Sequence, residues 1–431
     1  MPQKLVGLYT GWQTIVQDPS YLDALQDAVG LNLIIGGGPF ALSPELRASA
    51  PGVTPQGRRG IGVDWTDDDS ILRKAMDECH KRNIAVWLLV GGWHGPGDAF
   101  PELVARDLWG RPLNQVPRPQ YAWEVALAIC PSRPEINAWM CRAYAEIARR
   151  YDCQGVDITH ARLIAPAYTP SWWSCGCESC QRRAAELGYD FAAMREGVDA
   201  FFRRLRSLTP SQARRAAEAQ PGLLGLAQVL GLEGGFLDWF NFRADLISAN
   251  LRQMRAAVHE AAKGKMIFGS DTFPPSFALL VGHRYADFCT GASDFTSPLI
   301  SHVGVFVYAT LTSTADLLMQ NVQGLEEADA LRLSYALFGY EHLKMPSAIG
   351  DYHLGQIEYE ESAAPLAEIV EKEITLARAL NGGQVPSYPV IKGGLWSKET
   401  VQRLIRTAEE LGHEGLIFQQ TGALTPYVPK G

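Results

Sequence analysis

The chain has 431 residues, is 47% hydrophobic and 20% charged, and carries a formal net charge of −8. This is the composition of a globular protein with a sizeable core. The acidic balance argues against a nucleic-acid-binding protein, because the basic clusters are only short pairs such as Arg203-Arg204 and Arg214-Arg215. No apolar run approaches the roughly 20 residues of a membrane span, no secretory signal pattern opens the chain, and eight cysteines fit a reducing, cytoplasmic setting.

Taken in order, the chain alternates short apolar runs with helical patterns. Leu5 to Tyr9 reads as a strand, with Trp12 just beyond its C-terminal end. Leu22 to Val29 is helical, and Leu31 to Ile35 is a second strand closed by Gly36-Gly37-Gly38. That glycine run lacks the spacing of a phosphate loop and fits a tight turn or a close ligand approach. Residues 39–65 form a long Pro/Gly-rich loop. Asp67 to Arg82 places Ile71, Leu72, Ala75, Met76 and Cys79 on one helical face. Ile84 to Val90 is a buried strand, followed by Trp93 and His94. Another long loop, 96–129, carries Trp109, Trp123 and Glu124.

The stretch from Ile129 to Tyr189 holds the most chemistry. A helix is expected from about Pro134 to Tyr151, then a fourth strand, Gly155 to Ile158, with Asp157, Thr159, His160 and Arg162 crowded at its end. Cys175-x-Cys177-x-x-Cys180 follows. Three soft thiolates at this spacing can take three corners of a tetrahedral Zn2+ site, with Cys130 as the first choice for the fourth. A closed four-thiolate site is structural, since catalysis needs an open coordination position. A Cys175–Cys180 disulfide or chance clustering is the competing reading.

A Cys-Pro, a helix, a strand ending in polar groups, then C-x-C-x-x-C, a further helix and Leu187-Gly188-Tyr189-Asp190 resemble the zinc-bearing β-galactosidases of glycoside hydrolase family 42. The same residues are similar to uncharacterised TIM-barrel glycosidase-like families with this cysteine pattern. The resemblance is specific from Cys130 to Asp190 and architectural elsewhere. It implies a (β/α)8 barrel, a structural zinc, a carbohydrate substrate and a possible homo-oligomer. It does not carry the galactosidase activity over, because that family ends this strand in Asn-Glu, the Glu being the acid/base, whereas this chain has Asp157-Ile158-Thr159-His160.

Beyond Tyr189 the pattern is helical, read as an insertion over about 190–238 that leads into a barrel helix from Trp239 to Ala262. Lys265 to Gly269 is the fifth strand, ended by Ser270-Asp271, and Phe295 to Ile300 is the sixth, ended by Ser301-His302. A helical region from about Ser313 to Leu343 and a helix from about Ala364 to Ala379 follow. Tyr388 to Ile391, ended by Lys392 and Trp396, is the seventh strand, and Gly415 to Phe418, ended by Gln419, is the eighth. Eight strands alternating with helices predict one domain, residues 1–431, folded as an α/β (β/α)8 TIM barrel with long rim loops.

Catalytic groups of such barrels sit at the C-terminal ends of the strands. Glycoside hydrolysis commonly uses two carboxyls. Asp157 and Asp271, on neighbouring strands four and five, are therefore the expected catalytic pair, roughly 5 to 9 Å apart, a range that spans retaining and inverting geometries. Trp12, His94, His160, Arg162, His302, Lys392, Trp396 and Gln419 are the expected substrate-binding groups. Indole faces suit sugar C–H surfaces, although Trp12, Trp93, Trp172, Trp173 and Trp396 fill core equally well. Asp294 precedes its strand and belongs to the opposite, stability-determining face. Glu358, Glu360 and Glu361 fit the dipole of a following helix, and one of them is a further candidate for the missing glutamate. The expected activity is hydrolysis of O-glycosidic bonds in small saccharides or glycosides. The alternatives are a barrel lyase, isomerase or epimerase acting on a sugar-derived substrate, or a non-catalytic sugar-binding barrel.

Overall fold

The computed structural model describes residues 4–53, 60–95, 100–116, 128–219, 222–355, 362–392 and 396–419. Eight strands form one parallel sheet: β1 (Leu5–Tyr9), β2 (Leu33–Gly37), β3 (Ala85–Gly91), β4 (Gly155–Thr159), β5 (Ile267–Thr272), β6 (Thr296–Pro298), β7 (Val390–Lys392) and β8 (Gly415–Gln419). Their order is β6-β5-β4-β3-β2-β1-β8-β7. Parallel bridges Thr296–Ser387 and Leu299–Val390, with Ile300 N–H donating to the Val390 carbonyl at 3.1 Å, join β6 to β7 and close the ring. The expected (β/α)8 TIM barrel is the fold.

Closure fixes what each strand residue faces. Tyr9 on β1 and Asp157 on β4 are not on adjacent strands, yet the Tyr9 hydroxyl donates to Asp157 Oδ2 at 2.5 Å. Both therefore point inward, and the period of two assigns the other positions. Register aligns Leu89, Asp157 and Gly269 across β3, β4 and β5. It likewise aligns Lys392, Gln419 and Tyr9 across β7, β8 and β1. Below this polar layer the interior is filled by Trp87, stacked on Phe295 with ring centroids 4.5 Å apart, and by Tyr388. Gly269 makes room for that stack: a Cβ there would lie 2.3 Å from the Phe295 ring.

Several expected boundaries shift, and each shift has a local cause. β5 runs through Asp271 to Thr272 instead of ending at Gly269, because its pairing with β6 continues to Thr272–Pro298. The barrel helix after β4 spans Gly234–Ala261, beginning five residues before the expected Trp239. Gly234-Gly235 had the composition of a break, but here the glycines allow close helix contact. A Cβ on Gly235 would lie 2.2 Å from the Ala193 carbonyl, and one on Gly197 2.3 Å from Phe236 N. The inserted helices are Phe191–Ser207, Pro210–Ala219 and Gly222–Leu230. The region from Ser313 to Leu343 is two helices, Ala309–Asn321 and Glu327–Phe338, parted at Gly324, whose φ of +80° suits glycine.

Asp294 lies where β5 begins. Burial opposes its ionisation, but Arg255, the Phe268 N–H and His259 together hold its carboxyl below the ordinary range. It pins the stability face. No helix among the described residues is long and apolar enough to cross a membrane.

Replacing Gly269 by Ala is expected to cost about 1–3 kcal/mol, the usual penalty for overpacking a filled core. Urea unfolding would report this as a lower midpoint at unchanged slope. An unchanged midpoint would show that Phe295 moves aside freely.

Candidate active site and thiol centre

The mouth of the barrel is built from side chains one turn of the pleat above the Trp87–Phe295 layer. Asp157 sits mid-strand in β4 with no exposed surface, and Asp271, one inward position further along β5, is 5% exposed. The Thr159 hydroxyl donates to Asp271 Oδ2 at 3.1 Å, placing the end of β4 level with Asp271. Asp271 therefore lies nearer the opening, and Asp157 lies one layer beneath.

Burial, together with the charge of Asp271, pushes the Asp157 carboxyl from 3.8 up to about 8, against the opposing hydrogen bond from Tyr9. Burial and both carboxylates raise Tyr9 well above the ordinary phenol value, so it remains a donor. Asp157 Oδ1 has no hydrogen-bond partner among the described residues. A neutral carboxylic acid with one uncommitted oxygen, next to a second carboxyl, is equipped to move a proton. Tyr9 was not among the expected site residues; the signal for it was its place as the last inward position of β1.

A cavity of about 220 Å3 opens over the ends of β2, β3 and β4, and Asp64, His94, Thr159 and His160 are among its lining residues. The His94 and His160 rings stack 4.2 Å apart at 15°. His160 Nδ1 is 3.1 Å from the Thr159 hydroxyl, and His160 adopts a left-handed φ of +55°, a costly conformation for a non-glycine residue. The strain turns the chain sharply after β4 and brings His160 onto His94.

Arg162 is buried, with its guanidinium 5.2 Å from both the Phe273 and Phe306 rings and Nη1 donating to the Leu163 carbonyl at 3.2 Å. His302 packs its ring 5.3 Å from Phe306. The loops after β4 and β5 are tied by buried His283, whose Nδ1 accepts from Phe273 N–H at 3.0 Å, which leaves Nε2–H to donate to the Ala161 carbonyl at 3.0 Å. Burial lowers His283 to about 3, so it stays neutral. Lys392 is 2% exposed, and burial lowers its ammonium from 10.5 to about 8. The Gln419 carbonyl accepts from the Ser301 hydroxyl.

Of the two readings open for the tryptophans, sugar platform or core, the packing matches core. Trp12 opens the helix Trp12–Gln17 and folds back over Gly36, an outward position of β2, with its N–H donating to the Gly37 carbonyl at 2.6 Å. It packs against the outside of the sheet and does not line the mouth. Trp93 donates to Asn137 at 2.7 Å, Trp172 donates to the Pro166 carbonyl at 3.0 Å, and Trp173 sits among Phe201, Phe202, Phe236 and Phe240. Trp396 is 4% exposed. These indoles fill core. Trp123, Glu124, Glu358, Glu360 and Glu361 lie outside the described residues.

The sulfurs of Cys130, Cys175, Cys177 and Cys180 all lie within 4.8 Å of one another. The separations Cys130–Cys177, Cys130–Cys180 and Cys177–Cys180 are 3.4, 3.5 and 3.7 Å. Four sulfurs about 2.3 Å from a central tetrahedral ion stand about 3.8 Å apart, so the donor set and its spacing fit Zn2+. All four thiols are free, which excludes the Cys175–Cys180 disulfide in this structure. Cys175 accepts from Arg106 N–H at 3.3 Å and Cys180 from the Ser132 hydroxyl at 3.1 Å, contacts that suit thiolates. Arg243, fully buried beside them, donates to the Trp172 and Ser171 carbonyls. Burial lowers its guanidinium to about 9, while Cys175 and Cys180 act in the opposite sense. Four thiolates around a dication leave a net charge of −2, which a buried cation offsets.

No protein-family model matches the chain, and no curated protein matches it. Solved structures do. The glycoside hydrolase domain of PgaB (BpsB) from Bordetella bronchiseptica superposes with a TM-score of 0.55 at 10% identity, covering 99% of this chain and 96% of that one. The catalytic domain of a β-amylase from Paenibacillus polymyxa gives a TM-score of 0.48 at 11% identity, over 98% and 97% of the two chains.

The raised Asp157 carboxyl makes a signed prediction about stability. The folded state keeps this proton to about pH 8, whereas the unfolded chain loses it near pH 4. Unfolding between those values releases a proton, so the group costs stability increasingly as pH rises across that window. Asp157→Asn is therefore expected to gain stability relative to wild type from pH 4 to pH 8 in urea unfolding. A difference that does not vary with pH would mean that Asp157 titrates normally.

Proposed function

We propose that the protein is a glycoside hydrolase acting on O-glycosidic bonds of small saccharides or glycosides. The observation that carries this reading is the Asp157–Asp271 pair, two inward carboxyls in successive layers of adjacent strands, of which the deeper holds its proton at neutral pH. The fold shared with a glycoside hydrolase domain supports the reaction class.

In this mechanism Asp157 is the acid. Its proton passes to the glycosidic oxygen as the bond from that oxygen to the anomeric carbon breaks, so the leaving group departs neutral. Asp271, nearer the opening, either adds to the anomeric carbon or takes a proton from the attacking water. Water supplies the hydroxyl that ends on the sugar. Tyr9 holds Asp157 Oδ2 in place, and the growing negative charge on Asp157 is received by that hydrogen bond. In this reading His160 and His94, which line the cavity over β2–β4, and Lys392 and Gln419, in register with Tyr9, orient hydroxyls, and Arg162 and His302 brace the loops after β4 and β6. The Cys130, Cys175, Cys177 and Cys180 set would hold a structural Zn2+, pinning the loop after β4 to the start of the Pro134–Arg150 helix.

Two experiments test these assignments. Asp157→Asn is expected to lower kcat by about 10²–10⁴ on aryl glycosides with poor leaving groups and much less on dinitrophenyl glycosides, which depart without protonation. Asp271→Asn should lower both. Wild-type-like turnover of poor leaving groups by Asp157→Asn removes Asp157 from the mechanism. For the thiol centre, atomic emission should find one zinc per chain, and Cys177→Ser should lose it and melt several degrees lower. Metal-free wild type of full stability would refute a structural zinc.

A further inference from the structure

A second cavity, of about 760 Å3, lies between the Phe191–Ser207 insertion helix, the Ala309–Asn321 helix and the Trp109–Arg111 turn, and shares no residue with the mouth cavity. The polar side chains lining it include three arginines, Arg111, Arg203 and Arg206, against one carboxylate, Asp199. Two of the three are already paired with carboxylates, Arg111 with Asp107 at 2.7 Å and Arg203 with Glu196 at 2.6 Å, which leaves Arg206 as the lining arginine without one among the described residues.

The cavity is constructed around an aromatic ledge. Trp109 is 36% exposed, packs edge-on against Phe202 at 5.9 Å and is oriented by its N–H donating to Asp199 at 3.2 Å. Trp173 supports Phe202 from behind at 5.2 Å. Arg206, the unpaired one, stacks its guanidinium 5.7 Å from the Phe202 ring. Arg111 is held from below by Asp107, a wholly buried carboxylate, at 2.7 Å, while its own side chain is 62% exposed. A guanidinium fixed at its Nε presents its outer N–H groups to solvent, and planar forks of this kind match carboxylate and sulfate oxygens. Gln320 and Asn321 add amides on the facing wall.

We propose that this cavity is a binding site for an anionic saccharide, its ring face on Trp109 and its carboxylate or sulfate between Arg206 and Arg111. The place of Arg206 beside the Phe202–Trp109 ledge stands on its own; the choice of a saccharide rests on the glycosidase reading. An aromatic ledge beside arginines also suits single-stranded nucleic acid, but the acidic chain disfavours a polyanion that needs a long basic track.

Calorimetric titration of the full-length Asp157→Asn protein with three probes tests the site: an oligogalacturonate, a sulfated chondroitin oligosaccharide and a neutral cello-oligosaccharide. At least one acidic probe is expected to bind about tenfold tighter than the neutral one, with affinity falling as salt rises. Arg206→Ala and Trp109→Ala should each weaken that binding about tenfold, while Arg206→Lys recovers part of it and the melting temperatures stay near the parent's. The favoured acidic probe shows whether carboxylate or sulfate is the ligand. Equal affinity for acidic and neutral probes, binding indifferent to both alanine substitutions, or tighter binding of an oligouridylate would overturn the proposal. Aryl-glycoside turnover by wild type is scored separately: failure here leaves the assignment at the mouth standing, and failure there removes the argument for a saccharide while the acidic-against-neutral comparison still tests the anion site.

Discussion

Closing eight parallel strands into a ring forces every second side chain of each strand into one shared interior, and the rest of the molecule follows from that constraint. The lower part of that interior is satisfied by rings, with Trp87, Phe295 and Tyr388 packed where Gly269 leaves space. The upper part takes polar groups. Asp157 enters it at the cost of its hydration, and a carboxyl so placed keeps its proton instead of paying for a buried charge. Tyr9, reaching across from β1, is the partner that makes this position tolerable.

Around that mouth the protein fixes its loops by buried, fully committed groups. Neutral His283 ties the turn after β4 to the turn after β5. Arg162 lies between two phenylalanine rings, and the left-handed turn at His160 sets it against His94. On the outer side of the same loop the four cysteines converge beside Arg243. Rigid supports on both sides of β4 are what a site needs if Asp157 and Asp271 are to meet a substrate without rearrangement.

The outer helices also separate two surfaces. The mouth gathers carboxyls, whereas the groove beside the insertion helix sets Arg206 over Phe202, next to Trp109. Trp12, Trp93, Trp172 and Trp173, residues that look like sugar platforms in isolation, are consumed by packing; Trp109, on the turn between Asp107 and Arg111, keeps an open face.

The sequence by itself determined the eight-strand alternation, the place of Asp157 in the fourth strand and the cysteine cluster, because each is encoded locally, by apolar period, by strand-end chemistry or by spacing of a few residues. Asp271 lying inside β5, the helix starting at Gly234 and the division at Gly324 needed pairing and helix contacts that no local window contains. Only the tertiary structure decided that Trp12 faces outward, that Tyr9 holds Asp157 and that Arg243 stands beside the thiol set, in which Cys130 takes its expected place. Those are contacts between segments far apart in the chain, and they exist only once the ring has closed.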